Sequence, residues 1–204
     1  MSEINSLDKL KLGNCNAPVE TLLLRRWSPR SFAQDHPVTD ADLACIFAAA
    51  GWAASSYNEQ PWRFVVGRKG DATWQKIFDA LRPFNQSWAA AAPVLYATFA
   101  KKNFTMTGDP NGVAVHDVGA ASANASLQAT ALGLHTHGLA GFDPDKLRAL
   151  LAVPEDFDPV ACWTLGRSGD PETLAQSYRA MEVAPRQRKP LSDFLFSAWD
   201  VPAL

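Results

Sequence analysis

The sequence is poor in cysteine and carries almost no net charge. Its 204 residues include three cysteines, Cys15, Cys45 and Cys162, which lie far apart and lack the spacing of metal ligands. This usage is typical of a reducing compartment, and the apolar neighbours of Cys45 and Cys162 predict that both are small buried side chains. The formal charge of -2 gives no long-range attraction to nucleic acid or to an anionic membrane.

Several targeting and cofactor signals are also missing. The N-terminus has no basic stretch followed by an apolar one, and no apolar run approaches the length of a membrane span. We therefore expect a cytoplasmic protein that has neither nucleic acid nor a membrane as a partner. The sequence has no Gly-x-Gly-x-x-Gly motif of a dinucleotide-binding domain and no Gly-x-Ser-x-Gly elbow for a serine nucleophile.

What is present is the composition of an ordinary globular enzyme. Apolar residues make up 47% and charged residues 20% of the chain, which is long enough to form one domain, 1–204, with a sizeable core. Apolar runs predict strands at 63–67, 93–99, 134–139 and 160–165. Because helices and strands do not alternate regularly, the order favours an α+β fold over a doubly wound sheet.

Helix signals lie between these strands. Thr39 precedes Asp42 at the spacing of a capping box, and Asp143-Pro144 is a typical helix start. We expect a loop over 83–87 followed by a short helix of small residues, and another short helix over 171–178. Both regions contain proline, which favours turns and the first position of a helix.

Two segments predict contacts beyond an ordinary core. The long helix over 113–132 has almost only small side chains in its middle, which fits either a central core helix or a helix-on-helix dimer seam. The C-terminal tail, 183–204, is rich in proline and in large apolar residues. We expect such a tail to cover its own domain or a partner subunit, because so much apolar surface is unfavourable in water.

A stretch of eight residues combines three arginines with two serines. It reads Arg25-Arg26-Trp27-Ser28-Pro29-Arg30-Ser31-Phe32. Pro29 disfavours helix at Ser28, so the segment should be extended, with Arg26, Ser28 and Arg30 on one face and Trp27 available for packing. Two guanidinium groups beside a hydroxyl suit a phosphate and the carbonyl edge of a planar heterocycle. The alternative is a solvated basic turn whose arginines form surface ion pairs.

Further motifs follow this stretch in a characteristic order. They are Ser55-Ser56-Tyr57-Asn58-Glu59-Gln60-Pro61-Trp62-Arg63-Phe64, Asn85 ahead of Ala92-Pro93, Gly141-Phe142-Asp143 after Gly133-Leu134, and Pro185-Arg186-Gln187-Arg188-Lys189-Pro190-Leu191. Together with the arginine stretch, over roughly 21–196, they resemble the FMN-dependent nitroreductase family. The resemblance implies a mixed, largely antiparallel sheet flanked by helices, a homodimer with exchanged C-terminal tails, and FMN at the dimer interface.

The resemblance also implies which residues contact the flavin. These positions are Arg26, Trp27, Ser28, Arg30, Ser55, Ser56, Asn58, Asn85, Ala140, Gly141, Arg186 and Arg188. The phosphate and the ribityl chain would be contacted by Arg26, Ser28, Arg186 and Arg188, and the pyrimidine edge by Arg30 and Asn85. The second subunit would contribute Ser55, Ser56 and Asn58. The backbone of Gly141 would approach N5 and O4 of the flavin. Ala140 departs from the family, since some members have an acidic residue there. The loop over 103–111 is shorter than the substrate lid of many members.

The implied function is an oxidoreductase that takes hydride from NADH or NADPH and reduces nitroaromatic, quinone-like or related acceptors by a ping-pong mechanism. The chemistry would take place on FMN, so no protein side chain is predicted to be catalytic. His135 and His137 alternate on a predicted strand, but without a third ligand they indicate packing or solvent exposure rather than a metal. The alternatives are a non-catalytic flavin-binding or storage protein and a specialised flavin reductase or dehalogenase.

Overall fold

The computed structural model describes residues 6–204 and has the expected α+β architecture. The expected absence of a signal sequence at 1–5 lies outside the described residues. The helices are α1 (Ser6–Leu10), α2 (Thr21–Arg25), α3 (Asp40–Gly51), α4 (Ala72–Ala80), α5 (Pro83–Ala89), α6 (Ala114–Ala131), α7 (Pro144–Leu151) and α8 (Gln176–Val183). The strands are β1 (Trp62–Arg68), β2 (Val94–Lys101), β3 (His135–Leu139), β4 (Phe157–Gly166), β5 (Phe196–Ala198) and β6 (Val201–Pro202).

A four-stranded sheet in the order β1-β2-β4-β3 forms the centre of the molecule, and its pairings are antiparallel. The sequence predicted all four of these strands, because each is an apolar run bounded by turn residues. Strand β2 is buried along almost its whole length, since helices cover both faces of the sheet. Buried side chains of α4, α5 and α7 pack on one face, and those of α3 and α6 pack on the other.

The small residues of α6 serve the core on one side of the helix. Ala121, Ala125 and Ala129 are fully buried against the sheet and α3, which confirms the expectation of a central core helix. Gly119 and Ala123 lie on the opposite, exposed side. This second face leaves room for another backbone, so the dimer seam stays a prediction.

Three local expectations are wrong. Residues 83–87 are not a loop but form most of α5, which begins at Pro83 because proline suits the first helical position. The helix expected over 171–178 is a 3-10 turn at Pro171–Thr173 followed by α8. Cys45 is exposed, because it projects from the side of α3 that faces away from the buried Ile46 and Ala50, whereas Cys162 is buried as expected.

The C-terminal tail lies largely exposed on the single chain. Strands β5 and β6 form a short hairpin, and the apolar side chains around it are open to solvent, with Phe194 60% and Trp199 87% exposed. The tail therefore does not cover its own domain. Among the described residues no helix is long and apolar enough to cross a membrane.

Candidate functional site

The arginine stretch is extended, as the sequence predicts. Helix α2 ends at Arg25, and Arg26 already has the backbone angles of a strand. The ring of Trp27 is only 3% exposed, and its Nε1 donates a hydrogen bond to Asp8 Oδ1 at 2.8 Å. This confirms that Trp27 packs inward, so any contact it makes with a ligand must come from its backbone. The outward side chains are those of Arg26 and Ser28, joined by a 3.1 Å hydrogen bond from Nη1 to Oγ.

Arginines from both ends of the chain meet at this place. Burial lowers the pKa of Arg26, and the positive charge of Arg188 lowers it further. The pKa of Arg186 is likewise lowered by burial and then by the charges of Arg26 and Arg188. Arg186 is anchored because its Nη1 donates to the backbone oxygen of Lys11 at 3.0 Å. Mutual repulsion of this kind is typical of a site that binds an anion.

Arg26 and Ser28 also line an open groove with a cavity volume of about 390 Å³. Its other walls include Gly119 and Ala123 of α6 and Gly138 of β3. The absence of large side chains at these positions creates the groove. Arg26 and Ser28 therefore face an open space rather than the protein interior.

Arg30 lies beside two aromatic rings. Its guanidinium carbon is 5.7 Å from the ring centre of Trp88 and 6.0 Å from that of Tyr178, within the range of cation–π contact. Its Nε is buried and has no hydrogen-bond partner within the described chain. The structure thus differs from the alternative of a solvated turn with surface ion pairs, and it leaves Arg30 with an unused donor.

Asn85 and Gly141 come together although 56 residues separate them in the sequence. The Nδ2 of Asn85 donates to the backbone oxygen of Gly141 at 2.9 Å, and the backbone nitrogen of Arg82 donates to the same oxygen at 2.9 Å. Asn85 is three residues before Trp88 on α5, so both side chains lie on the face that meets Arg30. Ala140, where some family members are acidic, is exposed and contributes no carboxylate.

The segment with Ser55, Ser56 and Asn58 lies elsewhere on the chain. The backbone nitrogen of Ser56 donates to Asp117 Oδ2 at 3.0 Å, which ties this segment to the first turn of α6. Arg25, next to Arg26, instead donates to the backbone oxygen of Thr130 at the other end of α6. Thirteen residues of helix separate Asp117 from Thr130, or about 20 Å at 1.5 Å per residue. Within one chain, the Ser56 segment and Arg25 therefore contact α6 near opposite ends.

The two strand histidines share a face, as their alternation predicts, and both pack inward. His137 Nδ1 lies 3.0 Å from the backbone oxygen of Pro29, and its ring centre is 4.6 Å from that of Trp88. Burial lowers the pKa of His137 to about 4, and the charges of Arg30 and Arg26 act in the same direction. His137 is therefore neutral, and its Nδ1 donates a hydrogen bond to the backbone oxygen of Pro29, which holds the arginine stretch against β3. No cluster of metal ligands occurs among the described residues.

The loop over 103–111 is fastened to the segment that carries Asn58. Glu59 accepts a hydrogen bond from the backbone nitrogen of Thr105 at 2.9 Å and lies 3.5 Å from Lys101 Nζ. The rings of Tyr57 and Phe104 meet edge to face at 5.8 Å. A cavity of about 750 Å³ lies between the two segments.

Two further residues take part in the site although the sequence did not indicate them. Asp117 holds Ser56, and the fully buried Glu182 accepts hydrogen bonds from Arg30 and Ser31. Neither belongs to a recognisable motif, since their partners are backbone nitrogens contributed by distant segments. The one available signal was the position of Glu182 just before the basic segment of the tail.

Comparisons with known proteins identify the family of this chain. The sequence model of the nitroreductase family matches residues 23–167. An uncharacterized 15.4 kDa protein of Mycolicibacterium smegmatis is 32% identical over 152 residues, which cover 69% of this chain and 99% of that protein. An NADH dehydrogenase of Thermus thermophilus is 28% identical over 203 residues, covering 84% of this chain and 92% of that protein.

A solved structure shows the same architecture. A crystal structure described as an oxidoreductase containing FMN superposes with a TM-score of 0.85 at 33% identity, and the match covers 92% of this chain and 95% of that one. The matched family model spans all four strands of the central sheet and the arginine stretch described above. The chain belongs to the nitroreductase family of oxidoreductases.

Proposed function

We propose that this protein is a single-domain, FMN-dependent oxidoreductase that takes hydride from NADH or NADPH and reduces nitroaromatic, quinone-like or related oxidised organic acceptors. The observation that carries the proposal is the meeting of Arg26, Arg186 and Arg188 beside the Ser28 hydroxyl. Guanidinium groups that repel each other gain most from a dianionic phosphate, which can accept hydrogen bonds from all of them.

The chemistry of the donors fits FMN as well as its phosphate. Arg26, Ser28, Arg186 and Arg188 would hold the phosphate and the ribityl chain. The guanidinium of Arg30 and the amide of Asn85 would meet the carbonyls of the pyrimidine edge. Gly141 fits a close backbone approach, since a Cβ there would lie 2.5 Å from Asn85 Nδ2. The oxidoreductase containing FMN that superposes on this chain supports FMN as the cofactor.

Bound FMN would supply the redox chemistry, accepting a hydride equivalent from the donor and passing electrons to the acceptor. Arg30 would then favour the more negative, reduced state, because a positive charge at the pyrimidine edge stabilises added negative charge. Ala140 offers no acid, and His137 is neutral with its Nδ1 proton engaged by Pro29. We therefore propose that protons come from water rather than from a side chain.

The donor and the acceptor would use the same exposed face of the cofactor in turn. The sequence has no dinucleotide-binding motif, so a nicotinamide would bind by stacking and would leave before the acceptor enters. This order gives ping-pong kinetics. The name of the Thermus thermophilus relative, NADH dehydrogenase, supports a nicotinamide donor. We also propose a cytoplasmic location, which the three free cysteines support, since unpaired thiols are typical of a reducing compartment.

We also propose a homodimer with exchanged C-terminal tails, in which the partner's segment around Ser56 completes each site. The distance of about 20 Å along α6 between the contacts of the two half-sites supports this arrangement. The exposed Phe194 and Trp199 of the tail support it as well, because apolar side chains of this size gain from burial against a second subunit.

The first test is an absorption spectrum of the purified protein before and after anaerobic addition of NADPH or NADH, followed by a quinone. We expect a yellow protein that bleaches with a nicotinamide and regains colour with the acceptor. A protein that stays yellow with both donors would favour flavin storage over catalysis. A colourless protein that cannot be reconstituted with FMN would overturn the proposal.

The second test addresses the shared site. One chain carries Arg26→Ala, and the other carries Ser55→Ala, Ser56→Ala and Asn58→Ala. When the two chains are co-expressed, the proposed heterodimer has one site with both sets of substitutions and one site with neither. We expect these heterodimers to recover up to half of the wild-type activity, while each variant alone stays weak. If the heterodimers are no more active than the separate variants, both half-sites belong to one chain.

A further inference from the structure

Glu182 is a buried carboxylate directly behind the arginine stretch. It is 1% exposed and lies in the last turn of α8. Its Oε1 accepts hydrogen bonds from the backbone nitrogen of Arg30 at 2.8 Å, from that of Ser31 at 2.9 Å, and from Ser31 Oγ at 2.9 Å. One oxygen atom thus holds two consecutive peptide groups of the segment that carries Arg30.

Neither burial nor helix position favours an acid at this place. Removing a carboxylate from water is unfavourable unless hydrogen-bond donors and opposite charges compensate. The last turn of a helix carries a partial negative charge, which repels an acidic side chain. The compensation comes from the site itself. Burial lowers the pKa of Lys11, and the negative charge of Glu182 partly opposes that shift. The charges of Arg186 and Arg30 also act on Lys11, so Glu182 lies among the positively charged groups of the site.

Helix α8 holds Arg30 at two points. Tyr178 lies four residues before Glu182, so both side chains project from the same face of the helix. Glu182 binds the backbone of Arg30, while the ring of Tyr178 lies 6.0 Å from its guanidinium carbon. Trp88 contacts the guanidinium from α5. These contacts leave the orientation of Arg30 little freedom once Glu182 fixes the backbone.

We propose that Glu182 is a positioning residue, which holds the backbone of Arg30 and Ser31 so that the Arg30 guanidinium faces the pyrimidine edge of bound FMN. This inference rests on the proposed function, because it concerns the same flavin site. Glu182 touches neither flavin nor substrate and acts through Arg30.

The reduction potential of the flavin distinguishes positioning from a direct effect of charge. A carboxylate near the flavin disfavours the more negative, reduced state, so loss of its charge alone would make the potential more positive. Loss of the orientation of Arg30 would make it more negative, because the positive charge would no longer face the flavin edge. The two roles therefore predict shifts of opposite sign.

The test compares Glu182→Gln with the matched control Glu155→Gln, which removes the same charge from an exposed surface position. Equilibrium spectroscopic titration should give Glu182→Gln a more negative potential, shifted at least half as far as in Arg30→Ala, while Glu155→Gln keeps the wild-type value. In an Arg30→Ala background Glu182→Gln should add no further shift. An unchanged or more positive potential in Glu182→Gln would overturn the inference.

A measurement without flavin separates this inference from the proposed function. In the apoprotein, amide hydrogen exchange at Arg30 and Ser31 should be about fivefold faster in Glu182→Gln, since bonds to a charged acceptor are about 1 kcal/mol stronger than bonds to an amide. Glu155→Gln should leave both rates unchanged. If wild-type protein binds no FMN, the proposed function fails, and these rates still decide whether Glu182 holds the segment. Unchanged rates in Glu182→Gln would refute that role.

Discussion

Replacing Gly141 by alanine tests how closely the site is packed around its backbone. A Cβ at this position would lie 2.5 Å from Asn85 Nδ2, well inside van der Waals contact. The backbone of Gly141 is not in the left-handed region, so alanine meets no conformational strain there. The cost of Gly141→Ala must therefore come from displacement of the Asn85 side chain.

The size of that cost follows from the hydrogen bonds. Asn85 is 7% exposed, and its Nδ2 donates to the Gly141 oxygen at 2.9 Å. That oxygen keeps a second donor, the backbone nitrogen of Arg82, but the amide of Asn85 would lose its partner without gaining water. A buried donor without a partner costs about 1–3 kcal/mol, and we expect Gly141→Ala to lower the free energy of unfolding by this amount.

Urea unfolding and titration of the apoprotein with FMN, followed by flavin fluorescence, measure the two consequences. If Asn85 contacts the flavin, its displacement should weaken FMN binding by about tenfold, the equivalent of one hydrogen bond. Gly112→Ala is the matched control, because a Cβ there meets no atom within 4 Å. In an Asn85→Ala background the substitution should cost almost nothing. Wild-type stability and affinity in Gly141→Ala would refute the reasoning.

Two further predictions concern residues that support the site. Asp117→Ala removes the hydrogen-bond acceptor of the Ser56 backbone nitrogen. Amide hydrogen exchange around Ser56 should therefore accelerate, and the free energy of unfolding should fall by about 1–3 kcal/mol. Unaltered exchange would contradict the anchoring of Ser56 by Asp117. Because burial lowers the pKa of His137 from 6.5 to about 4, the unfolded chain binds more protons between these pH values, and stability should fall as the pH is lowered through this range. His137→Asn keeps a donor toward Pro29 and should flatten that part of a urea-derived stability profile, whereas an unchanged slope would exclude His137 as its source.

Local sequence signals predicted most of the fold correctly. The capping box of Thr39 and Asp42 and the Asp143-Pro144 start form as expected, because both depend on neighbours three or four residues away. The four sheet strands were also predictable, since each carries its own apolar run. The prediction failed where the local signal was ambiguous. Pro83 suits both a turn and the first position of a helix, and the packing of Trp88 into the core decides for a helix.

The sequence alone determined the family resemblance and the residue types of the site: arginines on an extended stretch, a second arginine pair in the tail, and a glycine that permits close approach. Tertiary structure decided which of them meet. It brought Asn85 to Gly141, placed the α6 contacts of Ser56 and Arg25 near opposite ends of that helix, and placed Glu182 behind Arg30. A sequence pattern reports periodicity and local preference. These contacts instead join backbone groups and side chains from distant segments. Only the packing of α5, α6 and α8 around one sheet brings those groups within hydrogen-bond distance.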